Sequence, residues 1–130
     1  MTDRSLWKVQ FVSLDALDVV EALFEGVYLA DASDVGEWER RVRARLDEFG
    51  GKVDLLISLE GLRVKPAASR RFGESRAAVL ADYAACSFRY GADPWTATSI
   101  STSSVIDGAD ENLFHTRAEA LEALVQRRRA

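Results

Sequence analysis

The chain has 130 residues, 48% hydrophobic and 29% charged, which suits one globular domain over residues 1–130 and excludes overall disorder. Its net charge of −4 argues against a nucleic-acid partner, which normally requires a basic stripe to replace phosphate counterions. The single cysteine excludes an internal disulfide and favours a reducing compartment. Because we find neither a signal peptide nor an apolar run of bilayer length, we expect a cytoplasmic protein without a transmembrane segment.

The first elements predicted along the chain are two strands that pair as a hairpin. Residues 6–12 alternate between apolar and polar side chains, the period of a strand with one buried face. A dense apolar group follows, and we interpret residues 18–25 as the second strand. A helix over 14–24 is the alternative, because short apolar runs do not separate the two structures.

An amphipathic helix is predicted next. Its apolar residues recur every three or four positions and form one stripe: Val35, Trp38, Val42, Leu46 and Phe49. Asp34 and Glu37 have the spacing of a capping box, and Gly50 is suited to end the helix. Residues 53–59 then form a nearly continuous apolar run, typical of a strand covered on both faces.

The second half continues to alternate helices and strands. We predict a loop over residues 60–69, a helix from Ser69 to Tyr83 and a strand over 86–90. The pair Asp93-Pro94 predicts another helix start, since aspartate caps a helix and proline suits its first position.

The chain closes with a short predicted strand over 112–115 and a last helix, whose start is marked by a capping box of Thr116 and Glu119. The complete order of elements predicts an α/β fold. We expect a single mixed β-sheet of about five strands, backed by amphipathic helices.

Two segments of the chain resemble the STAS domain family, and especially the SpoIIAA-like group related to the bacterial anti-sigma-factor antagonists. One is FEGVYL at 24–29, followed by the helix that contains Trp38. The other is FHTRAEAL at 114–121, which looks like that group's closing strand and final helix. The resemblance implies a STAS, or SpoIIAA-like, architecture.

The resemblance also implies a regulatory site. In STAS antagonists a kinase-type partner phosphorylates a serine at the start of the helix after the third strand, and the added charge ends partner binding. The matching residue here is Ser69, and Arg70 and Arg71 would pair with its phosphate. The aspartate that usually precedes this serine is replaced by Ala68, so the alternative is that Ser69 only caps its helix.

No set of catalytic or metal-binding residues is recognisable. His115 and Cys86 are the only histidine and cysteine, and neither a nucleophile elbow nor a glycine-rich phosphate loop follows any predicted strand. We therefore expect no enzyme activity, no metal and no cofactor. An enzyme would depend on carboxylates such as Asp54 and Glu60, but we expect Asp54 to face solvent or pair with an arginine, and His115 to be a partly buried structural residue.

Trp95 is the tryptophan that is hardest to place in the core. As an alternative to ordinary packing, we predict that it borders an apolar surface or groove. The other residues of that predicted surface are Leu62, Val64, Phe72 and Ile100.

Three functions follow as hypotheses. The favoured one is a non-catalytic regulatory module that binds a protein partner through residues 60–69 and the helix after them. The second is a domain that binds an apolar small molecule or lipid in a pocket lined by Leu62, Phe72, Trp95 and Ile100. The third is an oligomerising structural domain, such as a homodimer formed by pairing exposed sheet edges.

Overall fold

The computed structural model describes residues 3–129, which form an α/β structure with a mixed five-stranded sheet, a small two-stranded sheet and four α-helices. The strands are β1 Lys8–Leu14, β2 Val19–Glu25, β3 Val27–Leu29, β4 Val53–Ser58, β5 Leu62–Val64, β6 Ala84–Tyr90 and β7 Leu113–Phe114. The helices are α1 Ala32–Leu46, α2 Pro66–Tyr83, α3 Pro94–Asp107 and α4 Arg117–Arg129.

The N-terminal hairpin confirms the predicted pair of strands. β1 and β2 are antiparallel, with Lys8 opposite Glu25 and Leu14 opposite Val19. The turn between them places Asp18 at a φ of 54°, a left-handed conformation that aspartate adopts more readily than most residues. The helix considered over 14–24 is therefore wrong.

The main sheet has the strand order β1-β2-β4-β6-β7 and is parallel beyond the first hairpin. This confirms a mixed sheet of about five strands backed by helices. β1 and β7 are the two edge strands of this sheet. None of the helices in residues 3–129 combines the length and apolarity needed to cross a bilayer.

β4 lies in the middle of this sheet and contributes to two cores. Leu55 packs in the cluster that contains Trp38 of α1 and Phe72 of α2. Leu56, one residue later, packs in a second cluster with Leu124 of α4. Helices α1 and α2 therefore cover one face of the sheet and α4 covers the other, as the continuous apolar run predicted.

The second sheet is a correction to the predicted single sheet and to the loop over 60–69. β3 and β5 are parallel, with Val27 opposite Leu62 and Leu29 opposite Val64. Strands of three residues are too short to show a period of two, and the pairing joins residues 27–29 to residues 62–64, far along the chain. The sequence pattern therefore carried no sign of them.

Helix α2 begins at Pro66, three residues before the predicted start at Ser69. Proline is favoured at the first position of a helix because its missing N–H would have no partner there. We had interpreted Pro66 as part of a loop, which it suits equally well. Ser69 therefore lies within the first turns of the helix and does not cap it.

The caps of the other helices are partly as predicted. Asp93 caps α3, and Thr116 and Glu119 form the expected box at α4. For α1 the predicted box is wrong, because Asp31 is the cap and accepts from the amide of Asp34 at 2.9 Å. The 6%-exposed Asp34 instead ties α1 to the chain before it, accepting from the Ala30 amide at 2.9 Å and from the Arg4 guanidinium at 2.8 Å.

Replacing Gly61 with alanine is expected to lower the free energy of unfolding by about 1–3 kcal/mol, as overpacking does. An added Cβ would lie 1.8 Å from the backbone oxygen of Phe24 and 2.9 Å from the Cα of Glu25, and backbone atoms cannot rotate away. Urea unfolding measures the loss. Gly36→Ala is the matched control: its Cβ meets nothing within 4 Å inside α1, so a gain of about 0.5–1 kcal/mol is expected. Equal stabilities of the two variants would contradict this assignment of the Gly61 contact.

Candidate functional site

The residues of the predicted phosphorylation site are engaged in contacts between helices. The Ser69 hydroxyl donates to the Ser99 hydroxyl of α3 at 2.9 Å. Arg70 pairs with Asp107 of α3 at 2.9 Å, and Arg71 lies 3.7 Å from Glu39 of α1. A phosphate on Ser69 would have to open the contact between α2 and α3, so this geometry does not favour Ser69 as an accessible switch.

The predicted apolar surface is divided between the core and the exterior. Leu62, Val64, Phe72 and Ile100 are buried, whereas 59% of Trp95 is exposed. The expectation that these four residues form an apolar surface with Trp95 is therefore wrong. Leu62 is buried because it points from β5 into the core, and Ile100 is buried because it packs between α3 and α2. Both contacts join elements that are distant in the sequence.

Trp95 borders a surface groove of about 320 Å³ between β5 and the start of α3. We call it the β5–α3 groove and define it by its lining: Tyr28, Arg63, Val64, Lys65, Asp93, Pro94 and Trp95. Tyr28 and Arg63 are opposite each other in the parallel pairing of β3 and β5. The Lys65 ammonium lies 5.5 Å from the centre of the Tyr28 ring, within the range of a cation–π contact.

A small hydrogen-bond network holds the two walls of this groove together. The Asp93 carboxylate accepts from the amides of Trp95 and Thr96, at 3.0 and 3.1 Å, and from the Thr96 hydroxyl at 2.7 Å. The same hydroxyl oxygen accepts from the Val64 amide of β5 at 3.1 Å. The groove is therefore pre-formed, and the Asp93 carboxylate is already engaged.

The groove carries two cationic side chains, Arg63 and Lys65. Within residues 3–129, no carboxylate oxygen lies within 4.0 Å of Arg63 or Lys65. Both residues are exposed. Most arginines of α1 and α2 are, in contrast, paired with neighbouring carboxylates, for example Arg41 with Glu37 at 2.6 Å.

Two buried arginines form a second feature, which the sequence analysis did not identify as a site. Arg76 of α2 is 4% exposed and Arg89 of β6 is 1% exposed. Arg76 follows Phe72 by four residues and precedes Val79 by three, so it lies on the apolar stripe of its helix, and that position was the available signal. Arg89 alternates with Phe88 and Tyr90, a pattern typical of a strand residue that faces solvent. It is buried because its side of β6 faces the helix layer that contains Arg76 and because the chain at 110–112 covers its guanidinium.

The remaining candidate residues do not assemble a reactive set. Burial, together with the neighbouring Asp54 carboxylate, raises the pKa of Cys86 to about 11, so its thiol stays protonated at neutral pH. Asp54 pairs with Arg128 at 2.7 Å, as expected. His115 is exposed, so its prediction as a partly buried residue is wrong. Within residues 3–129, no three His, Cys, Asp or Glu residues are grouped as a metal site would require.

The ion pair between Asp54 and Arg128 joins β4 to the C-terminal helix α4. Burial alone would raise the pKa of Asp54, but hydrogen bonds from Arg128 and Cys86 hold it below its usual value. Arg128 also donates to the backbone oxygens of Leu17 and Asp18 in the hairpin turn. Its role is thus structural.

Comparison with protein-family models gave no match, and comparison with curated proteins gave no significant match.

Proposed function

We propose that this protein is a non-catalytic regulatory module that binds an acidic segment of a partner protein in the β5–α3 groove. The observation that carries the proposal is the position of Trp95, 59% exposed at the rim of a pre-formed groove. Two cations line the same groove, and among residues 3–129 neither has an ion-pair partner. Tryptophan and arginine are the residue types most enriched among those that dominate binding energy at protein interfaces.

The charges in the groove favour an acidic partner. The chain as a whole has a net charge of −4, and yet Arg63 and Lys65 are exposed with no carboxylate oxygen of residues 3–129 within 4.0 Å. The acid in the lining, Asp93, has both carboxylate oxygens hydrogen-bonded at the start of α3. Opposite charges on a partner would therefore both steer its approach and fix its register in the groove.

The resemblance to STAS domains supports a binding role. The antagonists of that family act by binding partner proteins. A mixed sheet covered by helices, with an antiparallel hairpin at its start, is compatible with that family's layout. Ser69 is not part of the proposed surface, because its hydroxyl is held against α3.

A labelled acidic peptide that carries one leucine is expected to bind the protein, and charge reversal in the groove should weaken that binding. We expect the double variant Arg63→Glu/Lys65→Glu and the single variant Trp95→Ala each to weaken it at least about tenfold, because they remove the steering charges and the apolar anchor respectively. Fluorescence anisotropy measures the dissociation constants. Rising salt should weaken binding by the wild-type protein.

Lys52→Glu is the matched control, since Lys52 is exposed and lies outside the groove. The Lys52→Glu substitution changes the net charge as much as either substitution of the double variant does. The Lys52→Glu protein should bind the peptide nearly as well as the wild-type protein. A basic peptide with the same leucine should not bind. Equal affinities of the wild-type, Trp95→Ala and double variants would refute the proposed site.

A further inference from the structure

Helix α3 presents one uncharged side to solvent. From Pro94 to Ile106 its sequence contains no charged residue, whereas α1 exposes arginines such as Arg40 and Arg45. Successive exposed positions of α3 are three or four residues apart, so they lie on one side of the helix, opposite the buried Ile100. We call this side the α3 face and define it by its residues: Trp95, Thr98, Thr102, Val105 and Ile106.

Both ends of the α3 face are large apolar side chains that water surrounds. Trp95 is 59% exposed at one end, and Val105 and Ile106 are 85% and 54% exposed at the other. A single exposed apolar residue is ordinary, but several on one helix face are typical of an interface. Thr98 and Thr102 lie between the ends, and their short side chains would let a second helix approach closely. The α3 face therefore has the composition of a contact between helices.

The residues of the α3 face are spaced symmetrically about Ile100. Trp95 and Val105 are each five residues from Ile100, and Thr98 and Thr102 are each two residues from it. A second α3 could therefore pack antiparallel on the first, with a two-fold axis level with Ile100. Trp95 would then meet Val105 of the second copy, and Thr98 would meet its Thr102. The α3 face is thus complementary to itself, as a two-fold interface requires.

The charges beside the α3 face are complementary in the same antiparallel arrangement. Arg63 and Lys65 lie with Trp95 in the β5–α3 groove, at the N-terminal end of α3. Asp110 and Glu111 are exposed just beyond its C-terminal end, and among residues 3–129 neither forms an ion pair within 4.0 Å. Antiparallel packing brings the cationic end of each copy to the acidic end of the other, whereas parallel packing would bring like charges together.

We propose that two copies of this chain form a two-fold dimer through their α3 faces, and that residues 105–111 of each copy are the acidic segment bound at the β5–α3 groove of the other. The inference rests on the proposed function for the role of the groove and names the partner. A helix of 14 residues is about 21 Å long and about 10 Å wide, less than a standard interface covers. We therefore expect a weak dimer, with a dissociation constant of about 10–100 µM.

Sedimentation equilibrium of the full chain measures the dimer. Val105→Lys should weaken dimerisation at least about tenfold, because it replaces an apolar contact with a third cation beside Arg63 and Lys65. Leu6→Lys is the matched control, since Leu6 is an apolar residue outside α3 that is 70% exposed, and it should dimerise as wild type does. Both positions are highly exposed, so neither change should affect folding.

Two results of this experiment would overturn the inference. One is a wild-type protein that stays monomeric up to about 500 µM, well above the expected dissociation constant. The other is a dimer that Val105→Lys leaves unchanged, as a dimer formed by pairing of the β1 edges would be.

Cysteine cross-linking tests the antiparallel direction. A mixture of the Thr98→Cys and Thr102→Cys proteins should form a disulfide-linked dimer under mild oxidation, because the two positions face each other. Val105→Cys alone should not, since its two copies would lie about 15 Å apart along the helix axis, beyond the reach of a disulfide. The native Cys86 is buried. Linkage of Val105→Cys without linkage between positions 98 and 102 would disprove the antiparallel contact.

The dimer and the groove can fail separately. Val105 lies outside the groove lining, so Val105→Lys should bind the acidic peptide as tightly as the wild-type protein does at concentrations where both are monomeric. A monomeric wild-type protein that binds the peptide would reject the dimer and retain the proposed function. A dimer that Arg63→Glu/Lys65→Glu does not weaken would reject the placement of residues 105–111 at the groove.

Discussion

Replacing Trp38 with alanine is expected to lower the free energy of unfolding by about 3–5 kcal/mol, the usual cost of removing a large aromatic side chain from a core. Trp38 is 5% exposed. Its ring centre lies 6.4 Å from that of Phe24 on the sheet and 5.2 Å from that of Phe72 on α2. The variant would therefore leave a cavity where α1 meets both the sheet and α2, and urea unfolding at neutral pH measures the loss of stability.

Two further variants distinguish packing from other effects of this substitution. Trp95→Ala removes an equally large but 59%-exposed side chain and should change stability by no more than about 0.5 kcal/mol. Trp38→Phe should lower the free energy of unfolding less than Trp38→Ala does. One reason is that the buried Nε1 of Trp38 has no hydrogen-bond partner, so phenylalanine removes no hydrogen bond. A loss below about 1 kcal/mol for Trp38→Ala would contradict its central position.

Replacing Arg117 with alanine is expected to lower the free energy of unfolding by about 3 kcal/mol at pH 7. This is the lower end of the range for breaking a buried ion pair, because the Arg117 side chain is 46% exposed. Arg117 donates to both oxygens of Glu21, at 2.8 and 3.0 Å, and the Tyr90 hydroxyl donates to the same carboxylate at 2.8 Å. Glu21 is 6% exposed in the middle of β2. Without Arg117 its charge would lie buried beside a single neutral donor.

The loss of stability in Arg117→Ala should become smaller as the pH falls. Burial alone would raise the pKa of Glu21, but hydrogen bonds from Arg117 and Tyr90 hold it below its ordinary value of 4.5. A lowered folded-state pKa contributes stability above that ordinary value and loses it as pH falls through the folded-state pKa. The stability difference between wild type and Arg117→Ala should therefore be full near pH 7 and shrink below about pH 4, as measured by urea unfolding at both values.

Arg40→Ala is the matched control for this pair. Arg40 also holds a glutamate, Glu37, but at the surface of α1 with its own side chain 69% exposed. Exposed ion pairs contribute about 0–1 kcal/mol, so its removal should cost little. A similar cost for the two arginine variants, or a loss for Arg117→Ala that does not change with pH, would disprove the role given to the Glu21 carboxylate.

The local patterns of the chain were sufficient for most of the regular elements. Alternation over 6–12 predicted β1, and the apolar stripe around Trp38 predicted α1. Caps at Asp93 and Thr116 located the starts of α3 and α4. These features depend on residues close together in sequence, whose preferences already agree with the fold. Where the local chemistry was ambiguous, as at Pro66, the predicted boundary was wrong.

The groove and the burial of Arg89 depended on contacts that local patterns do not contain. Trp95 could be recognised as difficult to bury, but its neighbours in the groove come from β3 and β5, whose parallel pairing joins residues 27–29 to 62–64. Arg89 had the alternation of a solvent-facing residue in a strand. It is inside because α2 packs on its side of β6 and because residues 110–112 bond to its guanidinium, two contacts between segments distant in sequence.

By itself, the sequence determined an α/β domain with a mixed sheet. Periodicity and capping involve residues that are close together in sequence, so they do not depend on how the elements pack. The tertiary structure alone decided that Trp95 lies in one groove with Arg63 and Lys65 and that Arg76 and Arg89 are buried. Both arrangements arise from pairs of residues far apart along the chain, whose burial and charge are defined only when the elements that carry them meet.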